Sequence, residues 1–216
     1  MRVFVTGGSG VLGRALVPLL ERAGHAVRAP ARTELDLFDA AAVRAGLADA
    51  DAVYHLATRI PPPARRHDPA AWEENDRLRA EASRLLVDAA LAGRAGVYVQ
   101  PSVTFVYPRE GPVDEQTPPG DVAPTLRSSL DAEAQAARFV AAGRRGVVVR
   151  LGLLDGPGTG HDAPGPSAYG TLHVEDAGAA LLAALDAPSG VWNAVRDGGR
   201  VANARLREAT GWRPVR

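Results

Sequence analysis

Three glycines at a spacing of three residues, Gly7, Gly10 and Gly13, stand between two patterned runs near the start of the chain. Lacking Cβ atoms, Gly7 and Gly10 can turn tightly and let a pyrophosphate come close to the backbone, while Gly13 lets a helix lie close against a strand. The chemistry this suits is the grip of a dinucleotide. The run before the glycines, Val3-Phe4-Val5, is apolar and β-branched and reads as a buried strand. After them Val11, Leu12, Ala15, Leu16, Leu19 and Leu20 recur at helical spacing. A strand, a glycine turn and a helix N-terminus present free N–H groups and the positive end of a dipole to phosphates. Gly7, Gly10, Val11, Leu12 and Gly13 are therefore the first expected cofactor contacts. The competing reading is a glycine-rich turn in some other α/β protein. The placement of strand and helix favours the dinucleotide.

The second strand, expected over His25 to Ala29, ends in Ala29-Pro30-Ala31-Arg32. An NAD site usually places a carboxylate there to accept from the adenosine 2′-hydroxyl. Here the carboxylate is missing and Arg32 can pair with a 2′-phosphate, so NADP is the expected cofactor and NAD the alternative. The bland reading makes Arg32 one of many surface arginines.

Thr6-Gly7-Gly8-Ser9-Gly10-Val11-Leu12-Gly13 resembles the short-chain dehydrogenase/reductase superfamily, and within it the extended branch, the NAD-dependent epimerase/dehydratase family. Other stretches resemble the same family. The resemblance places Asp36 and Leu37 under the adenine, although Asp39 close by could simply cap a helix. Asp51-Ala52-Val53-Tyr54-His55-Leu56-Ala57 is similar to a family strand whose end runs beside the cofactor. This implies contacts from Leu56, Ala57 and Thr58 and makes His55 structural. Asn75 matches an Asn near the nicotinamide half, or is a solvated helix residue. Val99 to Tyr107 resembles the strand end whose Ser or Thr hydroxyl holds the reacting oxygen. Ser102 and Thr104 both match, with hydroxyls satisfying the backbone as the competing reading. Glu133 matches the Glu that follows the family's catalytic Tyr-x-x-x-Lys. The Tyr and Lys positions are then Thr125 and Ser129, and the chain contains no lysine at all. The family's phenol acid/base therefore cannot be carried over. Tyr107 is the phenol nearest in sequence to the strand end and the expected substitute, or else a packed aromatic. Asp155 and His173 are further candidates.

These residues need elements to hold them. Runs at Asp51 to Ala57, Gly96 to Val99 and Val147 to Gly152 read as strands, alternating with helical patterns over Trp72 to Ala92 and Leu126 to Val140. Such alternation implies a parallel sheet with right-handed crossovers. The expected fold is α/β: a Rossmann-like, doubly wound parallel sheet with a small, reduced C-terminal substrate lobe. Residues 1–216 are expected to form a single domain, with substrate-lobe segments at about 151–173 and 190–216. The 25 basic and 25 acidic residues balance, which is not the footprint of a nucleic-acid binder. With no cysteine there is no disulfide framework, thiolate nucleophile or cysteine-held metal, and no metal site is expected. No apolar run is long enough to cross a bilayer, so a cytoplasmic protein is expected. The expected partner is a small-molecule substrate, without nucleic acid or membrane, and a homodimer is compatible with the class. The favoured function is an NADP-dependent oxidoreductase or epimerase/dehydratase-like enzyme in a biosynthetic tailoring step, with a non-standard acid/base. The alternative is a non-redox catalyst, or a cofactor-binding pseudoenzyme or regulator.

Overall fold

The computed structural model describes residues 1–216. In chain order the elements are β1 (Arg2–Thr6), α1 (Val11–Arg22), β2 (Ala26–Arg28), α2 (Ala40–Leu47), β3 (Ala52–His55), α3 (Glu73–Arg77), α4 (Ser83–Ala92) and β4 (Val97–Val103). There follow α5 (Pro124–Ala141), β5 (Arg145–Leu151), β6 (Leu153–Asp155), β7 (Thr171–His173), α6 (Val174–Ala184), β8 (Gly190–Ala194) and α7 (Ala204–Thr210). Six strands form one parallel sheet in the order β2-β1-β3-β4-β5-β8. The expected doubly wound α/β architecture is thus present.

Strand alternation fills both faces. Val3 and Val5, Ala52 and Tyr54, and Val97 and Val99 join α1 and α6 in one core. Phe4, Val53, Tyr98 and Val148 point the other way, against α2, α4 and α5. Burial on both sides explains why these strands read as continuous apolar runs. α1 and α6 pack together on the first face.

Local chemistry sets several boundaries. Asp39 caps α2, its Oδ1 accepting from the N–H groups of Ala41 and Ala42. Pro124 opens α5 at the first turn, where its missing N–H costs nothing. β4 runs past the expected end at Val99 to Val103, through Pro101. Beyond Val99 it pairs with β5 alone, so Pro101 breaks no ladder bond toward β3. The helix expected over Trp72 to Ala92 is interrupted by a π-helical turn, Leu78–Ala82, between α3 and α4. There Ser83 Oγ donates to the carbonyl of Arg79, satisfying an acceptor that the wider turn releases.

The C-terminal third divides. β6 and β7 pair as a separate two-stranded parallel sheet. β8 instead extends the main sheet beside β5, and Trp212 is buried in the core shared with β1 and α1. No helix is long and apolar enough to cross a membrane.

Candidate functional site

The strand order reverses direction between β1 and β3, and in such sheets ligands bind outside the carboxyl ends of the strands at that point. A cavity of about 1440 Å³ opens there. Gly7 turns the chain after β1 with φ +70°, a left-handed conformation that favours glycine. A Cβ on it would lie 2.7 Å from the N of Ala57. Gly13 lies under the loop rather than in the cavity: its Cβ would fall 2.3 Å from the carbonyl oxygen of Gly8. Gly10 opens α1, where an added Cβ would meet only the Gly7 oxygen, at 3.1 Å. Gly7, Gly10, Val11 and Leu12 line the cavity, and the first N–H groups of α1 have no intrahelical acceptor. A cradle that side chains would fill, with free N–H donors beside it, fits a pyrophosphate.

The turn is held from below. Thr6 Oγ1 lies 2.8 Å from His55 Nδ1, and His55 Nε2 donates to the carbonyl of Leu78 at 2.9 Å. The neutral imidazole therefore has both nitrogens engaged, with Thr6 donating to Nδ1. Burial lowers the His55 pKa to about 4. His55 lines the cavity but is neither free nor near its titration at neutral pH, in keeping with a structural role.

At the β2 end Arg32 lines the cavity with its side chain 77% exposed. Its Nη1 lies 2.7 Å from Glu74 Oε1, and the other oxygen of Glu74 is 3.6 Å from Arg59 Nε. The nearest carboxylate in sequence, Glu34, turns away and accepts from the N–H of Ala31. Asp36 and Leu37 line the same region, with Asp36 Oδ1 accepting from Phe38 N and Arg77 stacked on the Phe38 ring. Leu56, Ala57 and Thr58 line the cavity beside β3. Of the expected cofactor contacts, all but Gly13 therefore border one cavity.

The expected catalytic groups divide differently. Ser102 lines the cavity, but its hydroxyl donates to Glu133 Oε1 at 2.5 Å. Glu133 in turn accepts two bonds from Arg150, at 3.0 and 2.7 Å, in a largely buried ion pair. Thr104 and Tyr107 do not reach the cavity, which corrects the expectation that they act there. Thr104 is fully buried and donates to the carbonyl of Tyr169 at 2.6 Å. The Tyr107 hydroxyl donates to Asn193 Oδ1 at 2.9 Å in a buried cluster with Val113, Val195 and Val201, and burial raises its pKa. The reason is the short 3₁₀ turn over Thr104–Val106, which turns the chain away from the cavity before Tyr107. Asp155 is paired with Arg196, whose hydrogen bonds hold its carboxyl below the usual range. His173 Nδ1 caps α6.

Asn75 is fully buried rather than solvated: Oδ1 accepts from Arg59 N, and Nδ2 has no partner. Two cavity-lining groups had no distinguishing signal in the sequence. His161 projects from the loop after Asp155, and Arg79 is one arginine among 25 basic residues. Phe105, Leu126, Leu153 and Leu154 supply an apolar wall at the β4 side of the cavity.

The model of the NAD dependent epimerase/dehydratase family matches residues 3–168. The chain belongs to this family. Among its relatives, a 3-diazoavenalumate denitrifying reductase from a Streptomyces species is 34% identical, the match covering 90% of this chain and 71% of the relative. A dTDP-4-dehydrorhamnose reductase from Streptomyces griseus is 31% identical, over 94% of this chain and 73% of that protein. Among solved structures, an RMD from Pseudomonas aeruginosa complexed with NADPH superposes with a TM-score of 0.78 at 25% identity, covering 99% of this chain and 94% of the other. A UDP-glucose 4-epimerase from Thermotoga maritima gives 0.81 at 16% identity, covering 99% of this chain and 94% of that one, and so shares the fold. The family is described as NAD dependent, and the RMD structure is a complex with NADPH. In this member, positions Thr125 and Ser129 of α5 stand where the resemblance puts the family's Tyr and Lys. No tyrosine borders the cavity.

Proposed function

We propose that this family member is an NADP(H)-dependent reductase of a small aromatic substrate whose reduction leaves no oxyanion to protonate. The observation that carries this reading is the state of Ser102. Its proton is committed to Glu133, and no phenol or lysine stands in the cavity beside it. A carbonyl reduction needs a donor at the oxygen as charge develops there. This cavity offers a serine oxygen that can accept but, while it holds Glu133, cannot donate.

A bound NADPH would supply a hydride. An aryl diazonium is an acceptor that fits the missing acid: hydride adds to the terminal nitrogen to give a neutral aryldiazene, its N–H proton departs as the C–N bond breaks and dinitrogen leaves, and the ring carbon takes up a proton in its place. The proton lost by nitrogen equals the proton gained by carbon, so charge balances with no net proton from the protein. The relative named as a 3-diazoavenalumate denitrifying reductase supports the reading, since its name describes nitrogen loss from a diazo acid under reduction. The chain's own residues would do the rest. Gly7 and Gly10 admit the pyrophosphate, and Arg32 meets a 2′-phosphate. Asp36 and Leu37 flank the adenine. Phe105, Leu126 and Leu154 hold a flat ring and exclude water from the β4 side. His161 is the cavity-lining imidazole not bonded to another side chain, and serves any proton transfer the substrate requires.

The test supplies NADPH together with either a carboxylated aryl diazonium salt or a panel of ketones and aldehydes. The expected result is NADPH consumption with dinitrogen release from the diazo compound and no comparable turnover of the carbonyls. Thr125→Ala and Ser102→Ala should retain that activity within about tenfold, short of the ~10²-fold loss of a positioned acid/base. Turnover confined to carbonyls overturns the reading.

A further inference from the structure

The arginines that border the cavity are not equivalent. Arg32 and Arg59 reach Glu74, Arg77 pairs with Glu81, and Arg66 donates to the carbonyl of Pro61. Arg79 has no carboxylate within ion-pair distance. It is only 9% exposed, it lines the cavity, and its one hydrogen bond runs from Nη1 to Ser129 Oγ at 2.8 Å. A charge this deeply buried and left unpaired is costly, and folded proteins keep one where a ligand completes it.

Its placement says which ligand. Arg79 sits in the π-helical turn Leu78–Ala82, a distortion that recurs at functional sites because it re-aims a side chain. This segment crosses over from β3 to β4, and Ser129 lies on α5, which crosses from β4 to β5. Both are on the side of the switch point away from β2, where Arg32 and Asp36 stand. A dinucleotide spanning that point puts its adenosine at β2 and its nicotinamide half at β3 and β4.

We infer that Arg79 is a cofactor-positioning residue: Ser129 fixes Nη1, and the remaining guanidinium N–H groups donate to the ribose hydroxyls of the nicotinamide half. The resemblance puts a lysine at position 129, holding that ribose. Here Ser129 occupies the position and the cation reaches it from the neighbouring crossover. The ribose hydroxyls then complete the hydrogen bonding that the protein leaves open at Arg79, on which Asp76 acts without reaching ion-pair distance. This inference rests on the dinucleotide reading of the cavity.

Calorimetry on the whole chain separates the two. NADPH carries both halves of the cofactor, whereas 2′,5′-ADP carries only the adenosine half with its phosphates. Arg79→Met should lose roughly tenfold to hundredfold in affinity for NADPH, the scale of one or two charge-assisted hydrogen bonds, and bind 2′,5′-ADP as the wild type does. Arg79→Lys, which keeps the charge and folds more safely, should keep most of the NADPH affinity. Variants that bind both molecules as tightly as the wild type overturn the inference, and so do variants that lose affinity for both in equal measure. A wild type that binds neither molecule overturns the cofactor reading itself, and this inference with it.

Discussion

At the scale of the residue, Gly10 is where an atom can be added at the cofactor's expense and not the fold's. Its Cβ would meet one backbone oxygen at 3.1 Å and otherwise face the cavity, whereas a Cβ on Gly13 would strike the carbonyl of Gly8 at 2.3 Å. Gly10→Val should therefore fold with a melting temperature close to wild type while losing dinucleotide affinity by calorimetry. Unchanged affinity would remove the glycine turn from the site. Arg32 gives a second test. Its partner Glu74 is exposed enough that the pair contributes little, about 0–1 kcal/mol. A 2′-phosphate should displace that carboxylate. NADP should bind roughly tenfold to hundredfold tighter than NAD, from a charge-assisted contact of about 1.5–3 kcal/mol. Arg32→Ala should abolish the preference, and Glu74→Gln should sharpen it by freeing the guanidinium. Equal affinities for NADP and NAD in the wild type would count against the assignment.

Among the elements, His55 ties together β1 through Thr6, its own strand β3, and the π-helical turn through Leu78. Its pKa falls from 6.5 in the unfolded chain to about 4 in the fold because burial penalises the imidazolium. The unfolded state therefore binds a proton that the native state refuses between these values. Stability from this group is fully present above pH 6.5 and is lost as pH falls toward about 4, by up to about 3 kcal/mol. Urea unfolding across that range should show the loss in the wild type and a shallower slope in His55→Gln. Parallel slopes would mean that His55 is protonated in the fold.

For the whole molecule, the question is whether the C-terminal segments form a lobe of their own. Trp192 on β8 and Trp212 near the C-terminus share one core with Val3, Leu16 and Leu20. The Trp212 indole donates to the carbonyl of Asp176, and the Asp176 carboxylate accepts from Val215 N and Arg216 N. On our reading residues 1–216 are one cooperative unit. Tryptophan fluorescence, weighted to the C-terminal half, should melt at the same denaturant concentration as far-ultraviolet circular dichroism, which reports the helices throughout. Separate midpoints would divide the chain.

The fold was legible in the sequence wherever a periodic pattern coincided with a local signal. Val3-Phe4-Val5 followed by three spaced glycines specifies strand, turn and helix with no knowledge of the rest of the chain. Asp39 marks a helix start because a cap acts within one turn, whereas α5 begins at Pro124, before the start read at Leu126. The departure at Thr125 and Ser129 was equally visible, since it is a matter of residue type alone. What the sequence could not supply was the direction in which side chains point across elements. Ser102, Thr104 and Tyr107 are neighbours along the chain, yet Ser102 borders the cavity, Thr104 is spent on the carbonyl of Tyr169, and Tyr107 lies under Val113 and Val201. A 3₁₀ turn of three residues decides that, and it leaves no periodicity. Arg79 was hidden for a different reason. Among 25 basic residues its type is unremarked, and its burial against Ser129, 50 positions away, exists only once two crossovers pack on the same sheet. Local patterns fix elements because their energetics are local; a site assembled from different crossovers is fixed by packing, which no single stretch of sequence contains.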